Sequence, residues 1–290
     1  MNELDASYEE CKRLNSLHGK TYYLATLLLP KAKRKYVHAL YGFARYADEI
    51  VDDLESTLTV DQKAQALGTW GNKILEELKN GSSNDAVGRA LIDTVNTFAI
   101  PHEHFEAFLH SMTMDLTVQE YQSYEDLLEY VYGSAAVIGL EMLPVLGVLE
   151  DGAYECAKKL GIAFQLANFI RDVGEDLDRG RIYLPIQELA ENGVTREMLE
   201  ERVLTPQIIN ALKFQIARVR QLQKEATPGI QMLAPSSRPC IEAASELYCG
   251  IVDEVEKIGY DIFNKRAKTS TARRLRVFIT AYVKRLAVSN

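Results

Sequence analysis

The chain has 290 residues, 47% of them hydrophobic, which is enough apolar material to bury a substantial core in one large domain. Its net charge of −8 and pI near 5.3 exclude nucleic-acid binding through a broad basic surface. An acidic protein that handles an anionic ligand needs local positive charge or bound cations. The four cysteines (Cys11, Cys156, Cys240 and Cys249) form no CxxC pair and no zinc spacing, and read as free thiols of a reducing compartment.

The first residues, Met1 to Asp5, are acidic and carry no secretory signal. The longest apolar stretch, Ser134 to Leu149, is interrupted by Glu141 and Pro144 and falls short of the roughly 20 residues a membrane span requires. A soluble cytoplasmic protein, at most peripheral to a membrane, is expected. Gly and Pro are sparse, 17 and 8, and apolar residues recur at helical spacing almost everywhere. A helix is predicted behind Pro30, where Val37, Leu40, Ala44, Ile50, Val51 and Leu54 follow the 3.6-residue period. Breaks are predicted at 80–84, Ile100-Pro101, Asp151-Gly152, Arg179-Gly180 and Thr227-Pro228-Gly229, with helices of about 15–30 residues between them. No linker separates two units, so residues 1–290 read as one all-α domain.

In the first of these helices Tyr41, Arg45, Asp48 and Asp52 are spaced 4, 3 and 4 apart and share one narrow stripe bordering the apolar face. Asp48 and Asp52 stand one turn apart, where two carboxylates can share hard divalent cations and leave coordination positions for water and phosphate. Arg45, one turn earlier, is placed to pair with a phosphate oxygen or a carboxylate. A solvated acidic patch explains the same run, and alone the motif decides nothing.

A second stripe is harder to explain as surface. Gly161, Gln165, Asn168, Asp172 and Asp176 are spaced 4, 3, 4 and 4 apart, and the rest of that helix is apolar nearly all round. Such a helix is buried, and carboxylates on a buried helix are costly unless paired or metal-bound. The stripe is therefore expected to face an internal cavity that holds cations, with a structural polar network as the alternative. Two aspartate stripes across one cavity, each with an arginine nearby (Arg45 and Arg171), would clamp magnesium and a diphosphate.

Residues 41–53 (Tyr-Gly-Phe-Ala-Arg-Tyr-Ala-Asp-Glu-Ile-Val-Asp-Asp) and 165–176 (Gln-Leu-Ala-Asn-Phe-Ile-Arg-Asp-Val-Gly-Glu-Asp) resemble the phytoene/squalene synthase family of head-to-head prenyl transferases. The second stretch continues into Asp178-Arg179-Gly180-Arg181-Ile182-Tyr183-Leu184-Pro185, and weaker matches run from His18 to Arg266-Ala267. The resemblance implies an all-α isoprenoid-synthase bundle around a central cavity. It implies that Asp48, Asp52, Asn168, Asp172 and Asp176 hold Mg²⁺ (or Mn²⁺) and diphosphate. Arg45, Arg171 and Arg266 would contact diphosphate, helped by Lys20. Tyr41, Gln165, Tyr183 and Tyr248 would line the reaction centre, and the segment from Tyr130 through Ser134 to Ile138 and Gly139 would lie beside the prenyl tails. On spacing alone, the small residues of that last segment serve close helix packing equally well.

The implied reaction joins two prenyl diphosphates through a cyclopropylcarbinyl diphosphate. Squalene formation would require hydride from NADPH. The form of Asp48–Asp53 and the stretch 132–139 look more like bacterial phytoene synthases, so NADPH is not expected and geranylgeranyl diphosphate is the favoured substrate. Dehydrosqualene or squalene synthesis from farnesyl diphosphate is the alternative. A head-to-tail elongase, a terpene cyclase and a non-catalytic assembly factor on a membrane are the other readings weighed. The basic stretch Lys265, Arg266, Lys268, Arg273, Arg274, Arg276, Lys284 and Arg285 is either a solvated face, Arg266 apart, or a contact for anionic lipid.

Overall fold

Local chemistry sets most helix boundaries. The computed structural model describes residues 2–52 and 58–288. Helix α1 (Glu3–His18) starts at Asn2, whose side chain accepts from the Asp5 amide at 2.7 Å. Then follow α2 (Lys20–Thr26) and α3 (Lys31–Asp52), the latter directly behind Pro30. Helix α4 (Val60–Asn80) opens on a reciprocal Thr59–Gln62 capping box and closes on Gly81 at φ 70°, a left-handed cap that glycine adopts without steric cost. After it come α5 (Ala86–Phe98), capped by Asp85, and α6 (His102–Thr117).

A Ser123–Asp126 capping box starts α7 (Tyr124–Val131), which runs through a π-helical turn (Tyr132–Ala136) into α8 (Val137–Leu146). The longest helix, α9 (Ala153–Asp178), lies between the breaks expected at Asp151-Gly152 and Arg179-Gly180. Then come α10 (Ile186–Glu191), α11 (Arg196–Glu200) and α12 (Pro206–Ala226), whose Thr205 cap and first-turn proline fix its start. A 3₁₀ turn (Thr227–Met232) leads to α13 (Arg238–Cys249), α14 (Ile251–Lys257) and α15 (Thr271–Val288). Among the described residues the only β pairing is two isolated bridges, Glu120–Ile182 and Val148–Leu233. No helix of the described residues is long and apolar enough to cross a membrane.

Two large apolar clusters hold the bundle, with a smaller one (Tyr8, Cys11, Ala39, Val87 and Ala90) joining α1, α3 and α5. One of the large pair gathers α3, α4, α5, α6 and α8 around Phe43, whose ring meets Phe105 and Phe108 at 5.2 Å and Trp70 at 5.5 Å. The other gathers α7, α9, α12 and α14 around Leu166, Ile170, Leu212 and Val255. Helix α9 is surrounded by α8, α12, α13, α14, the π-helical turn and the 3₁₀ turn, the position its apolar circumference requires. The small residues before and on α9 allow that enclosure. A Cβ on Gly133 would stand 2.1 Å from the Ala107 carbonyl oxygen, and one on Gly161 would stand 2.6 Å from that of Ala135. Close backbone packing is thus one purpose of the 130–139 segment. The cysteines are free thiols, with Cys11, Cys240 and Cys249 buried.

Glu141 interrupts the apolar stretch of α8 and is fully buried, with no hydrogen-bond partner for either carboxyl oxygen. Burial pushes its pKa up from 4.5 to about 8. The folded protein therefore holds a proton there that the unfolded chain releases. The stability linked to this site is full below the ordinary glutamate value and is lost as pH rises through about 8. Urea unfolding of wild type is expected to lose up to about 1.4 kcal/mol per pH unit at this site over that window. Glu141→Met should remove that share of the slope and be the more stable protein at the alkaline end. Parallel slopes in the two proteins would show that the carboxyl does not titrate as stated.

Candidate active site

Members of both carboxylate stripes turn toward the same space. Tyr41 and Asp48 of α3, Asp115 of α6, and Gln165, Asn168, Arg171, Asp172 and Asp176 of α9 line one cavity of about 510 Å³. Tyr130, Ser134, Ile138, Tyr183 and Tyr248 also line it, as do Tyr22, Phe169, Arg179 and Arg181, with apolar wall from α3 and α6. Asp52 ends α3, and its side chain lies outside the described residues. Three expected contacts do not line the cavity. Lys20 is exposed on α2, Arg45 donates from Nε to Glu49 Oε1 at 3.2 Å, and Arg266 sits in an adjoining crevice with Arg171 and Tyr248.

The acidic wall carries the electrostatic strain that a buried anion must. Asp176 is 8% exposed, and its pKa is pushed up to about 7, first by burial and then by the charge of Asp172, against the pull of Arg179 and Arg181. Asn168 presents a buried Oδ1 with no hydrogen-bond partner. Asp172 accepts from Arg171 Nε at 2.7 Å and pairs with Arg266 at 3.2 Å, which also reaches Glu175 at 2.9 Å. Among the described residues no three His, Cys, Asp or Glu side chains converge as a metal site. Even so, hard oxygen donors from two helices, one orphaned amide oxygen and crowded carboxylates whose mutual repulsion a cation would relieve are a donor set suited to a divalent cation.

Beside the acids is a polar cluster with no sequence signature of its own. The largely buried carboxylate of Asp115 accepts from Tyr130 Oη on one oxygen and Tyr183 Oη on the other, both at 2.7 Å. Arg181 closes it, donating to the Asp115 carbonyl oxygen at 2.7 Å and to Tyr183 Oη at 3.3 Å. Tyr183 arrives there because Gly180, at φ 73°, reverses the chain after α9. Ile182 N then bonds Gln119 O at 2.8 Å, laying 181–183 along the loop after α6. The Tyr183 ring stacks on Phe169 at 4.1 Å and lies 5.5 Å from that of Tyr130. Sequence reasoning finds Tyr130 and Tyr183 but not Asp115, a single acid in the last turns of α6 with no second carboxylate at helical spacing beside it, nor Phe169 or Tyr22. Across the cavity, burial raises the Tyr41 and Tyr248 phenols to about 12, so both are neutral near pH 7.

A second, apolar cavity of about 250 Å³ continues from the first, with Tyr22, Ser134, Ile138, Gln165 and Tyr248 lining both. It runs past Ala25, Met142, Ala157, Gly161 and Ala244 to Leu146 and Leu233. The arrangement is a charged chamber feeding a hydrocarbon-lined tunnel. It fits an amphiphile with an anionic head and a long apolar tail.

The family model for squalene/phytoene synthase matches residues 16–273. The chain belongs to the squalene/phytoene synthase family. It is 36% identical to the 15-cis-phytoene synthase of Synechococcus elongatus, over 94% of this chain and 91% of that protein. It is also 36% identical to the chloroplastic phytoene synthase 1 of Zea mays, over 98% of this chain and 70% of that one. Its fold is similar to that of a crystallised dehydrosqualene synthase, with a TM-score of 0.88, 28% identity and 98% of each chain covered. A squalene synthase of Alicyclobacillus acidocaldarius gives a TM-score of 0.81 at 25% identity, over 89% of this chain and 96% of that one. Like its family, the chain is an enzyme, a prenyltransferase.

Asp115 acts here as a positioning residue for two tyrosines. An asparagine side chain can accept through one atom only, so Asp115→Asn leaves one phenol without its acceptor. The variant should keep its helical circular dichroism while kcat falls about 100-fold, the size of effect that a misplaced chamber wall can produce. A near-normal kcat would remove the role.

Proposed function

We propose that this prenyltransferase joins two molecules of geranylgeranyl diphosphate head to head, through a cyclopropylcarbinyl diphosphate, to give phytoene, releasing both diphosphates. The observation that carries this reading is the acidic, arginine-flanked chamber opening directly into an apolar tunnel. Cyanobacterial and plant phytoene synthases at 35–37% identity favour the C20 substrate over farnesyl diphosphate. The product needs no hydride, so no nicotinamide cofactor is called for.

In this reading Asp48, Asp52, Asn168, Asp172 and Asp176 would hold Mg²⁺, with Mn²⁺ as a substitute. Bound there, the metal offsets repulsion between the acidic wall and the diphosphate and stabilises charge as the leaving group departs. Arg171 reaches the chamber beside Asp172, and Arg45, Arg266 and Lys20 would add positive charge at its rim. The chain's own walls do the rest. Tyr41, Tyr183 and Tyr248 present neutral aromatic faces to carbocationic carbon, which attracts them electrostatically. Gln165, Ser134 and Ile138 line both chamber and tunnel and Tyr130 lines the chamber, so that in this reading Ile138 and Tyr130 would border the prenyl tails. Enclosure between α3, α6, α9 and α13 excludes water that would quench the cation. Buried free thiols fit a reducing, cytoplasmic setting.

Labelled geranylgeranyl diphosphate with Mg²⁺ should yield a C40 hydrocarbon and two diphosphates per product. EDTA should abolish turnover. Asp48→Asn and Asp172→Asn should each cut kcat by at least about 10³-fold with the fold intact. A cyclic C20 product, or a preference for farnesyl diphosphate giving a C30 product, would overturn the assignment. Ala244→Phe, which narrows the tunnel, should shift the kcat/KM ratio toward farnesyl diphosphate.

A further inference from the structure

Two arginines expected at the diphosphate are held beside the chamber by glutamates, and the two arrangements match. On α3 Arg45 donates from Nε to Glu49 Oε1 at 3.2 Å, and on α9 Glu175 Oε1 accepts Arg266 Nη1 at 2.9 Å. The glutamates have 46% and 45% of their side-chain surface exposed, against 17% for Asp172. Each adjoins in sequence an aspartate that lines the chamber, Glu49 after Asp48 and Glu175 before Asp176. In both helices the aspartate turns inward and its glutamate neighbour reaches solvent.

Helical geometry gives each arginine two places to go. At 100° per residue Arg45 stands between Asp48, about 60° to one side, and Glu49, about 40° to the other. Tyr41, one turn before Arg45, lines the chamber with Asp48, so a change of side-chain torsion carries the guanidinium from the outer acid to the chamber. Glu49 then keeps a partner, because His18 Nε2 lies 3.9 Å from the same oxygen. Arg266 bridges Glu175 and Asp172, whose Oδ1 it meets at 3.2 Å, from the crevice that contains Arg171 and Tyr248. Those two residues also line the chamber, so the same kind of turn brings Arg266 to it.

The strengths of the contacts suit an exchange. An ion pair at such exposure is weak, since water solvates both partners and salt screens them. A diphosphate offers clustered negative oxygens that a planar guanidinium grips with two parallel hydrogen bonds. We infer that Glu49 and Glu175 are positioning residues that compete with diphosphate for Arg45 and Arg266, lowering its affinity by the fraction of time they hold the guanidiniums. An enzyme that releases two diphosphates per product gains from such a return partner, since too firm a grip slows release. Diphosphate as the competing anion rests on the function proposed above; the two glutamate contacts do not.

Calorimetric titration of the full chain with inorganic diphosphate at fixed Mg²⁺ reads the competition without turnover. Glu49→Gln and Glu175→Gln should each tighten binding about threefold, with unchanged circular dichroism. Removing any negative charge near an anion site strengthens binding somewhat, so a double-mutant cycle decides. In an Arg45→Gln background Glu49→Gln should change affinity by less than about 1.5-fold, and Glu175→Gln should do the same in an Arg266→Gln background. Equal gains in the two backgrounds, or no gain from either glutamine variant, overturn the inference. Wild-type affinity in both arginine variants, or no diphosphate binding by any of the proteins, overturns it together with the assignment of the arginines to diphosphate. A cycle that holds in a protein making no C40 product would leave the competition standing and remove the proposed function.

Discussion

Negative charge inside a nonpolar bundle is the constraint to which the rest of this molecule answers. A carboxylate that loses its water must be neutralised, paired or compensated by a cation. Helix α9 creates the problem by carrying Asp172 and Asp176 on a rod that is largely apolar and wrapped by six neighbouring elements. The surrounding architecture shows the remedies side by side. Asp172 is held by two guanidinium groups, Asp176 is driven toward protonation, and Asp115 is satisfied by two phenols.

Periodicity made α9 readable before any coordinates. An amphipathic helix with a wide polar face fits many settings, but a nearly all-apolar helix with a single polar stripe fits only burial beside a polar cavity. The breaks at 80–84, Ile100-Pro101, Asp151-Gly152, Arg179-Gly180 and Thr227-Pro228-Gly229 were legible for a similar reason. Glycine, proline and capping side chains act on the backbone within a few residues, so their effect does not depend on the tertiary fold.

What the chain order hides is long-range. Asp115 meets Tyr183 across 68 positions, and no local pattern announces the pairing. The short helices α10, α11 and α14 depend on what they pack against and carry little periodic signal. The 130–139 segment was ambiguous on spacing because one short stretch serves two surfaces. Gly133 and Gly161 let backbones touch, while Ser134 and Ile138 line the cavities. Arg45, expected at the diphosphate, instead bonds Glu49 one turn along its own helix, a neighbour that a helical wheel shows but cannot rank against a ligand.

The carboxylate of Asp115 also limits how this protein can vary. Its two oxygens are spoken for by hydroxyls from separate segments, one before the π-helical turn and one after α9. Replacing either tyrosine by phenylalanine keeps the aromatic ring but removes one hydroxyl donor from a nearly dry anion, so a change mild by shape becomes costly by charge. Three positions far apart in the chain are thereby locked into a single inherited unit, and drift at any one of them has to wait on the other two.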